Sequence, residues 1–98
     1  MKQGGIYFDK INNQDMCLIP IIDNWTFVII KDSVDHYFGY TSVFTNDRIN
    51  TFVNSNFWNF NQTYFLRDLS DQHFTNGYIG QLSDENFNLL KYLVNNFN

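Results

Sequence analysis

The chain has no alanine, one proline (Pro20) and one cysteine (Cys17). Asparagine is abundant, a bias that fits AT-rich codon usage and carries no function by itself. A lone cysteine excludes an intramolecular disulfide, and its setting in Met16-Cys17-Leu18-Ile19 reads as a buried thiol. No spacing joins Cys17 to His36 or His73 as a metal site would require, so no metal or other cofactor is expected. Cations are scarce: Lys2, Lys10, Lys31, Arg48, Arg67 and Lys91 face ten acidic residues, for a net charge of -4. That balance excludes a broad phosphate-neutralising face, so any RNA site must be small and local. An acidic surface suits a protein partner with a basic face better. No run of about 18 or more apolar residues occurs, so no membrane span is expected. With no signal-peptide pattern, the chain reads as cytoplasmic.

What the chain does have is aromatic residues, 19% of 98 residues, within a hydrophobic share of 44%. That is enough to build a packed core, and the length fits a single domain over 1–98. A domain of this size can fold alone, and a dimer would add to its stability.

Short strands dominate the reading. Gly4-Gly5-Ile6-Tyr7-Phe8 opens one, and Asn12 to Asp15 turn the chain. Met16 to Ile22 forms a second, in which Pro20 points to an edge or a bulge because proline cannot donate to a ladder. Asp23-Asn24 is a tight turn, and Trp25 to Ile30, apolar on both faces, is a central strand. Lys31 to Asp35 reads as a polar turn, and Tyr37 to Phe44 as a further strand. The uncharged stretch from Ile49 to Leu66 ends in a strand at Tyr64-Phe65-Leu66, and Ser70 to Phe74 forms one helical turn. The clearest element is a C-terminal helix. Ser83 is its N-cap, Asp84 and Glu85 complement its dipole, and Phe87, Leu90, Leu93, Val94 and Phe97 form one apolar stripe. The expected class is mainly β with a C-terminal α-helix, as a small SH3-like barrel or a strongly bent antiparallel sheet.

Five segments carry a family likeness: Gly5-Ile6-Tyr7-Phe8, Phe27 to Asp32, Gly39-Tyr40-Thr41-Ser42, Leu66 to Asp71, and Gly80-Gln81-Leu82-Ser83-Asp84-Glu85. In this order they resemble the MazF/PemK-like toxins of toxin–antitoxin systems. The resemblance implies an SH3-like barrel, a homodimer, an antitoxin partner and metal-independent endoribonuclease activity on single-stranded RNA. It makes Thr41 the catalytic hydroxyl, with Ser42 beside it. The chain departs from the family where an arginine usually opens the strand before the Val/Ile run, because Trp25 stands there. An indole cannot replace the fixed charge and bidentate donors of a guanidinium on a phosphate.

The departure leaves Arg48, Arg67 or His36 to supply the missing charge or proton transfer. Each also has a plainer reading, a surface ion pair for the arginines and a solvated ring for His36. Trp25, Phe57, Trp58, Phe60 and Tyr64 are the candidate binding residues. Aromatics interleaved with asparagines could stack on unpaired bases, form the centre of a protein interface, or fill the core. Two functions follow: an endoribonuclease toxin, or a non-catalytic binding protein or inhibitor on the same scaffold. The second would dock its aromatic and acidic surface on a host protein, as an inhibitor from a mobile element would.

Overall fold

Two tight turns set the first half of the molecule. Asn12 and Asn13 join β1 (Gly5–Ile11) to β2 (Gln14–Pro20), and Asp23 and Asn24 turn the chain into β3 (Trp25–Ile30). All four residues have positive φ, at 53°, 63°, 53° and 64°. A two-residue type I′ hairpin turn demands this backbone at both central positions, and Asn and Asp accept it more readily than other side chains. The computed structural model describes residues 1–40, 45–75 and 77–97.

β4 (Phe65–Arg67) pairs with β3, and β5 (Tyr78–Gln81) pairs with β1. The result is an antiparallel sheet in the order β4-β3-β2-β1-β5. Among the described residues the sheet is not closed, so of the barrel and the sheet expected it is the antiparallel sheet that is found, with the expected C-terminal helix. β3 is an interior strand as expected. β2 is interior too, not an edge, and Pro20 is its last residue. Entry into β5 requires Gly77: its φ is +76°, and a Cβ there would lie 2.4 Å from the Phe8 carbonyl oxygen.

The middle of the chain departs from expectation. Lys31 to Phe38 form helix α1, so the supposed polar turn is helical, and Tyr37 and Phe38 end a helix rather than open a strand. The rest of that expected strand that matters to function, Thr41 to Phe44, lies outside the described residues. Helix α2 (Asn46–Asn54) follows, capped by Thr45, whose side chain accepts from the Arg48 N–H. Helix α3 (Asp84–Asn95) starts where Ser83 accepts from the Asn86 N–H at 3.2 Å. Its stripe buries Leu90 and Val94. Asn50 joins the two helices: its side-chain oxygen accepts from the Ser83 N–H at 2.8 Å and from the Asn86 amide at 3.2 Å.

The strands alternate between two apolar layers. Ile6, Cys17, Ile19, Phe27 and Ile29 face the helices and meet Val34, Ile49, Phe52, Val53, Leu90 and Val94. Burial in this layer pushes the Cys17 thiol far above its ordinary range, which leaves it inert. On the opposite layer Tyr7 and Leu18 are covered by Phe74 from the 3₁₀ turn Asp71–Phe74. Phe74 stands edge-on to Tyr7, with ring centroids 5.4 Å apart.

His73 fastens that turn by donating from Nδ1 to Asp9 Oδ2 at 2.8 Å. The bond holds the Asp9 carboxyl below the usual carboxylate range. The contribution to stability is therefore present above the unfolded Asp value and lost as pH falls through the folded one. Asp9→Asn is expected to destabilise the protein modestly at neutral pH, and the gap should close as pH drops below about 3.9. Urea denaturation of both proteins across the acid limb checks this; a gap that stays constant with pH would exclude the clasp as its source.

Candidate functional site

α1 and α2 meet on one carboxylate. Asp35 is buried, and its Oδ2 accepts from Lys31 Nζ at 2.6 Å while Oδ1 accepts from Arg48 Nη2 at 3.2 Å. The Lys31/Asp35 contact is the i,i+4 geometry of a helix face. Arg48 Nη2 also donates to the Gly39 carbonyl at 3.3 Å, and its guanidinium lies 4.8 Å from the Phe38 ring centroid. Its Nε is buried and has no hydrogen-bond partner among the described residues. Gly39 ends α1 at φ +96°, and its N–H donates to the Asp35 carbonyl at 2.6 Å. The chain thus leaves α1 beside the Arg48 guanidinium and heads toward Thr41 and Ser42, which lie outside the described residues.

The other candidates do not share this place. His36 is exposed on α1, its ring 6.1 Å from that of Phe57. Arg67 is exposed at the end of β4, 4.9 Å from the Trp25 ring centroid. Trp25 turns toward α3 and meets Phe97 edge-on at 5.2 Å. The two arginines therefore serve separate clusters, one bound to a buried aspartate and the other stacked on an indole. Among the described residues, no group of three or more His, Cys, Asp and Glu side chains is gathered for a metal ion. No helix among them is long and apolar enough to cross a membrane.

The aromatic candidates divide by exposure. Trp58 is 1% exposed and belongs to the core, donating from Nε1 to the Val53 carbonyl at 3.0 Å. Tyr64 is half-buried and stacks on Phe27 at 6.0 Å. Phe57 and Phe60 are each 42% exposed, and Tyr37 is 41% exposed. Tyr37 and Phe57 meet at 5.2 Å, while Phe60 rests on the buried Trp58 at 5.1 Å.

Local chemistry shapes this surface. After α2, Ser55 Oγ donates to the Phe52 carbonyl and accepts from the Phe57 N–H. Asn56 and Asn59 take positive φ, and Asn61 caps the next 3₁₀ turn by accepting from Thr63 N–H at 2.9 Å. These asparagines build turns. Phe60 also takes positive φ, at 51°. For a bulky side chain this is strained backbone, costing about 1–3 kcal/mol, and such strain concentrates at functional positions.

Tyr37 joins this surface because its segment is helical, whereas its aromatic neighbours in the sequence favour a strand. The Lys31/Asp35 spacing is the signal that marks its helix. No family model, curated protein or solved structure matches the chain.

Proposed function

We propose that the chain is a binding protein that docks the surface formed by Tyr37, Phe57 and Phe60 on a partner protein. The observation that carries this reading is Phe60: an exposed aromatic held in a strained backbone, on a buried tryptophan that fixes its position. Rigid, partly exposed aromatics are the residues that dominate binding energy at protein interfaces. The net charge of -4 favours a partner with a basic rim.

One observation favours the second reading, a metal-independent endoribonuclease toxin. Arg48 bonds the Gly39 carbonyl, two residues before Thr41, and could supply the charge absent at Trp25. Against it, the same guanidinium is already paired with a buried carboxylate.

Phe60→Asn separates the two. Asparagine tolerates positive φ, so relief of strain offsets the lost ring contact and stability should stay within about 1 kcal/mol of wild type. Partner capture, measured by pull-down and then with the purified partner, should fall at least about tenfold for loss of an interface anchor. Undiminished capture would remove this surface from the interface. Cleavage of mixed-sequence single-stranded RNA in EDTA by wild type, lost in Thr41→Ala, would instead establish the nuclease.

A further inference from the structure

A second recessed site uses none of the residues of that aromatic surface. It is a cleft of about 330 Å³ between the start of β3, the end of β4 and the last turn of α3, lined by Asp23, Trp25, Arg67, Val94, Asn95 and Phe97. This volume lies at the small end of ligand sites. Its one cation is Arg67, exposed and stacked on Trp25, with no carboxylate in ion-pair range among the described residues.

A guanidinium held on an indole loses little further freedom on binding, and its planar donors match a carboxylate bidentately. The indole is already engaged by Arg67 and by the Phe97 ring, so it is a poor platform for a stacking base. Asp23 in the same cleft opposes a doubly charged phosphate. We propose that this cleft is a carboxylate subsite, which takes a singly charged carboxylate on an apolar body. The carboxylate would bond Arg67, and the body would lie against Val94 and Phe97, beside the Trp25 indole.

The test is titration with N-acetyl-phenylalanine, followed by the indole N–H resonances. Trp58 is buried and bonded to Val53, so it serves as an internal reference beside Trp25. The expected result is a saturable shift of the Trp25 signal alone. Arg67→Gln should weaken binding about tenfold or more, as loss of a charge-assisted bond implies. Arg67→Lys should restore only part, and Asp23→Asn should tighten binding. Equal affinity for 3-phenylpropionate would assign a free organic acid, and preference for the acetylated amino acid a peptide terminus. No saturable shift, equal binding of the phenylalanine amide, equal competition by inorganic phosphate, or unchanged affinity in Arg67→Gln would each overturn the proposal. Unchanged melting temperatures of the exposed-site variants establish that the readout is binding and not folding.

Discussion

Asp35→Ala is expected to lower the unfolding free energy by about 3–5 kcal/mol, the usual cost of removing one partner from a buried ion pair. The Asp35 side chain is 5% exposed, and the two cations it receives are only 19% and 21% exposed. Removing the carboxylate leaves Lys31 and Arg48 poorly hydrated. It also removes an ionic tie between α1 and α2. Among the described residues Arg48 has little to fall back on, since its Nε has no hydrogen-bond partner and Gly39 and the Phe38 ring are its other contacts. Asp35→Asn keeps the shape and loses the charge, so it should fall between wild type and alanine. Urea denaturation measures all three. A loss below about 1 kcal/mol, the scale of a surface pair, would mean the cations simply swing into water. The same variants bear on function. If Arg48 acts on a phosphate, Asp35→Asn changes the charge it offers, and any RNA cleavage must change with it. A binding protein that uses Tyr37, Phe57 and Phe60 would keep its partner as long as the fold holds.

Trp58→Ala is expected to cost a similar amount, about 3–5 kcal/mol, for a different reason. The indole fills the space between the sheet and the turn after α2. It packs on Phe27 at 4.8 Å, Phe60 at 5.1 Å and Phe65 at 6.1 Å. Alanine leaves a cavity that these rings cannot close without leaving their rotamers, and it leaves the Val53 carbonyl without the Nε1 donor. Trp58→Phe retains an aromatic ring and loses that bond, so a loss of about 1–3 kcal/mol is expected. Thermal and urea melts read both variants. Equal losses for phenylalanine and alanine would place the energy in the Val53 bond and not in packing. Because the indole carries Phe60, Trp58→Ala should weaken partner capture as well. Capture data on that variant therefore cannot distinguish an interface residue from its support, whereas Phe60→Asn can.

The edges of the molecule were legible in the sequence, and its middle was not. Asn12-Asn13 and Asp23-Asn24 announce tight turns because few other residues accept the backbone they require. Ser83 with Asp84 and Glu85 announces a helix start because hydroxyl and charge answer the exposed N–H groups there. Between Lys31 and Phe38 local signals favoured the wrong structure. Tyr37, Phe38 and Tyr40 have strand propensity, and Gly39 between them resembles a bend within a strand. What overrides this is tertiary: Val34 is buried under the sheet and Asp35 binds an arginine thirteen residues away. A partner at that distance has no local signature. The candidate site was legible in the same measure. The aromatics near Phe57 stood out by composition, but which are core and which face solvent depends on turns made by Asn56, Asn59 and Phe60.

The pairing order of the sheet has a kinetic consequence. β1, β2 and β3 form a meander within residues 5–30, closed by short turns, so their contacts are local and quick to make. β5 reaches its place only when Gly5 meets Gln81, across most of the chain. Leu82 then donates to the Gly4 carbonyl at 2.8 Å, one residue before the cap of α3, so strand and helix arrive together. Such a distant closure bears a larger loop entropy than the hairpins and belongs late in assembly. Late contacts govern how fast a fold comes apart more than how fast it forms. Substitutions at the seam between β1 and β5 are thus expected to raise the unfolding rate more than they lower the folding rate.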